Sequence, residues 1–146
     1  MRKMAFLLVL VVCWAAAERA AGEEATYVGV KKCKTCHIKV YQTWKETKHA
    51  LAFDKLNEQE KQDPKCNECH VTGNDVNLPG IQCEACHGPG EKHVAEPEAK
   101  GQGYIIGLTR ECSSCVVEQI CRRCHSSEDD PDFDFQKQLL KVRHGS

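Results

Sequence analysis

Four times in this 146-residue chain a pair of cysteines, two residues apart, is followed directly by a histidine. The runs are Cys33-Lys-Thr-Cys36-His37, Cys66-Asn-Glu-Cys69-His70, Cys83-Glu-Ala-Cys86-His87 and Cys121-Arg-Arg-Cys124-His125. This spacing is the attachment signature of c-type haem. The two thiols add across the haem vinyl groups, and the adjacent imidazole is close enough to bind the iron. Read this way, the eight cysteines carry four covalent haems, and His37, His70, His87 and His125 are the proximal ligands.

Structural zinc is the rival chemistry, because Cys-x-x-Cys pairs also form zinc knuckles. Zinc, however, does not require a histidine after the second cysteine. The chain has 7 histidines, so finding one after each of four chosen pairs has a chance on the order of 10⁻⁵. That decides for haem.

Counting the remaining iron ligands is the sharpest inference. Beyond the motifs only His49, His93 and His144 remain. Methionine is the other common distal ligand in cytochromes c, but Met1 and Met4 both fall in the N-terminal leader segment. Three haems at most can then be bis-histidine. The fourth is five-coordinate or takes an unusual ligand such as lysine, tyrosine or an amine. Exchange between identical subunits leaves this count unchanged, since each lends as many histidines as it borrows.

The leader itself reads as an export signal over residues 1–22. Met1-Arg2-Lys3 is a basic start, and Met4 to Ala17 is an apolar stretch about 14 residues long, where a membrane span needs about 20. Membrane contact is expected only through an uncleaved N-terminus. Residues 23–146 are expected to form one tetrahaem domain. Export to a periplasmic or extracellular location agrees with the chemistry, because c-type haem is attached outside the cytoplasmic membrane.

A domain this small cannot enclose four macrocycles in an ordinary apolar core. The haems must themselves be the core, wrapped by short helices and loops. The expected fold is mainly α with little regular secondary structure. The motif intervals are irregular, which excludes a solenoid. Helices are expected over 33–48, 49–62 (ended by Asp63-Pro64) and 135–142. Thr72 to Gly80 reads as a turn-rich loop. The acidic run from Glu128 to Asp134 reads as a solvated approach to the last helix rather than a docking patch. Without Arg2, Lys3, Arg19 and Glu18 the chain carries 17 basic and 20 acidic residues, a net charge of −3. There is no basic stripe, so nucleic acid is not an expected partner.

One further pair, Cys112-Ser-Ser-Cys115, has Val116 where the histidine would stand. It is expected to form a disulfide or an inert thiol pair, not a fifth attachment site.

Three stretches together resemble the cytochrome c-554 family. They are Cys33–His37 running through Trp44 to His49-Ala-Leu-Ala-Phe53, Cys83–His87 with Gly88-Pro-Gly90 and His93, and Cys121–His125 with Phe133-Asp-Phe135 and His144. The resemblance implies a helical, haem-packed fold with stacked haem pairs. It also implies that His93 ligates the first haem, His144 the third and His49 the fourth. The haem of His70 would be five-coordinate and high-spin.

The dense haem content and the lack of any organic substrate motif favour an electron carrier. Its partners would be donor and acceptor cytochromes or other oxidoreductases outside the cytoplasmic membrane. No residue is assigned a catalytic role. Two rivals remain: a reductase that binds NO or another small nitrogen species at the open iron, and a subunit of an extracellular cytochrome filament or other oligomer.

Overall fold

The computed structural model describes residues 25–99, 105, 113–142 and 144, and only the backbone of 113–115. The expected export signal and the pair Cys112/Cys115 thus lie outside the side chains that can be described.

The described chain is short helices joined by turns, with one small hairpin. In order these are α1 (Val30–Cys33), α2 (Ile38–Trp44), single 3₁₀ turns at Phe53–Lys55 and Glu60–Gln62, α3 (Pro64–His70), strands β1 (Val71–Thr72) and β2 (Asp75–Pro79), α4 (Cys83–His87), α5 (Glu91–Ala95), α6 (Ser113–Arg122) and α7 (Phe135–Val142). No helix among the described residues is long and apolar enough to cross a membrane. The mainly helical, sparsely regular fold expected from the motifs is what forms.

Local boundaries differ from the sequence expectation for identifiable reasons. The helix expected over 33–48 is two helices, because the first motif interrupts it. His37 leaves helical geometry at φ −107°, ψ 46°, and the Thr35 hydroxyl donates to the Lys32 carbonyl at 2.7 Å, a local bond that competes with helix continuation. The stretch 49–62 holds only two 3₁₀ turns. Leu56 is extended, and the Asn57 side chain accepts from the amides of Gln59 and Glu60 at 2.9 and 3.0 Å. Glu60 in turn accepts from the Asn57 amide at 2.8 Å, so Asn57-x-x-Glu60 is a capping box that restarts the chain.

Asp63-Pro64 likewise opens a helix as well as following one turn. The Asp63 carboxylate accepts from the Lys65 amide at 2.9 Å with Pro64 at the first helical position, the arrangement that favours a helix start. The loop expected from Thr72 to Gly80 contains an antiparallel hairpin. Gly73 and Asn74 both take positive φ, 64° and 56°, as a tight hairpin turn of that handedness requires. The final helix occupies 135–142 as expected.

What holds these pieces is polar. Among the described residues the buried apolar side chains are Val71, Val117 and Phe135, while Asn67, Thr72, Gln82 and Glu84 are buried polar ones. Glu84, only 1 % exposed, accepts from the backbone amides of Val28 at 2.9 Å, Gly29 at 2.7 Å and Gly90 at 2.6 Å. Gln82 accepts from the Val30 amide at 2.7 Å. Glu91 accepts from the Thr26 amide at 2.9 Å. These bonds tie the segment before the first motif to the third motif and to α5. A side chain at Gly90 would start with its Cβ 3.0 Å from the Glu84 carboxylate, so the close approach depends on glycine there.

Replacing Glu84 by Ala should therefore orphan three amide donors, those of Gly29 and Gly90 buried and that of Val28 half-buried. Unpaired buried donors cost about 1–3 kcal/mol each, so a loss of about 3 kcal/mol or more is expected. Urea unfolding of the haem-loaded protein checks it, and a midpoint equal to that of the wild type would remove Glu84 from this role.

Candidate haem centres

Each attachment motif closes one helical turn. The His37 amide donates to the Cys33 carbonyl at 2.9 Å, and the His125 amide to the Cys121 carbonyl at 2.9 Å. In α3 and α4 the same turn is part of the helix. Positions i, i+3 and i+4 share a face, so two sulfurs and one imidazole project together from each turn.

The three non-motif histidines each come to rest opposite a different motif histidine. The ring centroids of His37 and His93 are 6.2 Å apart, with planes tilted by 20°. Those of His49 and His125 are 6.2 Å apart, and those of His87 and His144 are 5.7 Å apart. An atom bound between two imidazoles, with metal–nitrogen bonds of about 2.0 Å and each nitrogen about 1.1 Å from its centroid, sets the centroids about 6 Å apart. The three pairs have the spacing that a metal between two imidazoles would need.

Structural zinc takes four protein donors, yet no group of three or more His, Cys, Asp or Glu among the described residues is arranged to hold an ion. Haem needs only two axial donors from protein, since the porphyrin supplies the rest. Two facing imidazoles beside two cysteines are a donor set that fits haem.

Local contacts explain how the partners arrive. The bonds from Glu84 and Glu91 draw the approach to His37 against the loop and helix bearing His93. The Ile81 amide donates to the His49 carbonyl at 2.9 Å, and the Trp44 indole donates to the Ile81 carbonyl at 2.8 Å, fixing His49 beside the hairpin. His144 follows α7 and lines a small open cleft together with Cys83, Cys86, His87, Val40 and Trp44.

Among the described residues no imidazole stands opposite His70, because all three spare histidines face other motifs. Its Nδ1 donates to the Ala52 carbonyl at 2.7 Å. Nδ1 of His125 donates to the Asp130 carboxylate at 2.7 Å. Both bonds fix the tautomer and leave Nε2 free for a metal. Burial, followed by the neighbouring His125, holds His49 below the usual histidine range. Burial and then His87 do the same for His144. A neutral imidazole keeps the lone pair that binds iron.

The motifs also touch one another. A hydrogen bond between the Cys33 and Cys83 thiols raises the first and lowers the second. Burial, then the neighbouring Cys121, raises the Cys86 thiol. Cys69 and Cys124 are joined as a disulfide, their Cα atoms 5.4 Å apart. A sulfur in a disulfide cannot also bear a thioether, so at these two atoms disulfide and haem attachment are alternatives. The motifs therefore meet in the order first–third–fourth–second.

Sequence reasoning found the cysteines and histidines but missed Glu84, Asp130 and the Ala52 carbonyl. Glu84 lies inside a motif yet has no spacing signature for a buried clamp. Asp130 was hidden in a run of carboxylates that reads as solvent-facing.

The model of the family described as "Cytochrome c554 and c-prime" matches residues 32–88, which hold the first three motifs. Among curated proteins, cytochrome c-554 of Nitrosomonas europaea (strain ATCC 19718) is 28% identical over 137 residues, covering 70% of this chain. The match spans 58% of that relative's length. No solved structure matches. Attachment turns, helical fold and family match agree: over residues 32–88 the chain is similar to the cytochrome c554 family.

Proposed function

We propose that this chain is a tetrahaem electron carrier that passes electrons between redox proteins outside the cytoplasmic membrane. The observation that carries the reading is the set of three imidazole pairs at 6.2, 6.2 and 5.7 Å. Cys33/Cys36, Cys66/Cys69, Cys83/Cys86 and Cys121/Cys124 would hold the four haems. His37 with His93, His87 with His144 and His125 with His49 would ligate three of the irons. When bound, the haems supply one-electron chemistry, and the protein sets their spacing, axial ligation and surroundings. The contact order of the motifs gives electrons a continuous route from the first haem to the second by way of the third and fourth.

Two other readings weigh differently against the structure. Small-molecule binding at an open iron is favoured by one observation: His70 faces no second histidine. A filament completed by lent histidines is disfavoured, because each spare histidine is already opposite a motif histidine of its own chain.

Mass spectrometry of the denatured protein tests the assignment. Four haem masses of about 0.6 kDa each should remain attached, because thioether bonds survive unfolding. Peptide mapping should place Cys69 and Cys124 on separate haem peptides. A cross-linked Cys69–Cys124 peptide, or a mass equal to bare polypeptide, would refute the tetrahaem reading.

A further inference from the structure

The imidazole of His125 is gripped in a way that the imidazole of His70 is not. Its Nδ1–H donates to the Asp130 carboxylate at 2.7 Å. Its ring also stacks on Phe133, with centroids 4.3 Å apart and planes tilted by only 14°. Arg122 lies over the Phe133 ring at 5.0 Å and pairs with Glu118 at 3.4 Å. The turn that presents Asp130 is itself built. The Ser126 hydroxyl donates to Asp129 at 2.6 Å and accepts from the amides of Glu128 and Asp129. The Asp130 amide returns to the Ser126 carbonyl at 2.9 Å, and the Phe133 amide to the Asp130 carbonyl at 3.1 Å. Within the acidic run, then, one carboxylate is aimed inward at an imidazole.

An anionic acceptor at Nδ1 has a defined consequence for a metal at Nε2. It draws the Nδ1 proton toward itself and makes the ring a stronger donor. A stronger, more negative donor stabilises the ferric over the ferrous ion. A neutral acceptor such as the Ala52 carbonyl, which serves His70, does so less. The Asp130 carboxylate is partly open to water, its side chain 41% exposed, so screening reduces the effect without removing a direct charged hydrogen bond.

We propose that Asp130 is a positioning residue that lowers the reduction potential of the haem held by His125, setting it below that of its neighbour on His70. This rests on the haem reading above. The electron enters the iron, and the proton stays on Nδ1 in both oxidation states. Asp130 contributes charge and orientation only. Functionally, it makes transfer from the fourth haem to the second run downhill.

The test is a spectroelectrochemical titration of the haem-loaded Asp130→Asn and Asp130→Glu variants. The fourth haem is identified as the one whose low-spin signal vanishes in His49→Ala. In Asp130→Asn its reduction equilibrium should shift toward ferrous by about tenfold, about 59 mV for one electron, with the other three midpoints in place. Asp130→Glu should stay near the wild type. An unmoved fourth midpoint in Asp130→Asn overturns the proposal, as does an equal shift of all four haems. If Asp130→Asn loses its fourth haem, the glutamate variant decides: haem and midpoint both near the wild type support the role, and a haem retained at a raised midpoint overturns it. Counting haems by mass keeps the two readings separate. Fewer than four haems in the wild type sinks the tetrahaem reading, whereas four haems with an unmoved midpoint sinks this inference alone.

Discussion

Produced without covalent haem, the full-length chain is expected to lack a cooperative unfolding transition and to give a largely disordered far-ultraviolet circular dichroism spectrum. Among the described residues only Val71, Val117 and Phe135 are buried apolar side chains. Burial of apolar surface is the main force that opposes chain entropy, and three such side chains are far too few for a domain of this length. Apolar residues such as Ile38, Leu51, Val94 and Leu140 stay exposed in the protein alone. With haem bound, flat apolar macrocycles would supply the missing surface, and iron bonds would hold together residues as distant as His37 and His93. Stability of the fold is then largely the stability of its haem sites, as in other proteins whose ligands bind only the folded state. Circular dichroism and urea titration of haem-free and haem-loaded protein check this. Native-like helix content with a cooperative transition in the haem-free chain would show that the polar clamps of Glu84 and Gln82 suffice alone.

One high-spin iron beside three low-spin irons is the second large expected effect, seen by electron paramagnetic resonance of the oxidised protein. The three spare histidines are committed to His37, His87 and His125. An iron on His70 would then have one imidazole. Reduced protein should take up about one equivalent of CO or NO, because bis-histidine irons resist displacement. Replacing His49 by Ala should produce a second high-spin iron, a second equivalent of ligand and a raised midpoint for the haem on His125, since one nitrogen donor is lost. Four low-spin irons with no ligand uptake would mean that a lysine, tyrosine or amine completes the site on His70. The small-molecule reading would then fail, while the carrier reading would stand. Sustained turnover of NO with an electron donor would instead promote the chain from carrier to enzyme.

The sequence by itself determined the chemistry. Covalent haem attachment is a local reaction of two thiols and one imidazole within five residues, so Cys33–His37, Cys66–His70, Cys83–His87 and Cys121–His125 are legible without any fold. The number of spare ligands is likewise a count, and so is the expectation that one of four irons would go short. The mainly helical character followed from the apolar spacing and from the smallness of the chain. Some local signals were present but outweighed. Gly73-Asn74 marks a hairpin turn inside what reads as loop, and Asn57-x-x-Glu60 restarts the chain inside what reads as helix. In both, a short-range side-chain or turn preference overrides apolar periodicity.

Residue spacing does not say which histidine faces which; the family resemblance implied the pairs, and the tertiary structure places those rings opposite one another. His93 lies 56 positions from His37, and nothing in their spacing pairs them. The pairing depends on buried Glu84 collecting amides from Val28, Gly29 and Gly90, and on the Ile81 amide reaching the His49 carbonyl. Hydrogen bonds between distant segments leave no periodic trace in a sequence, because each needs only one donor and one acceptor. The same holds for Asp130, one of several carboxylates between 128 and 134 that look alike until the turn at Ser126 aims one of them at His125. Attachment is local chemistry and was readable. The facing of the rings and the surroundings of each imidazole are products of packing, which no local spacing records.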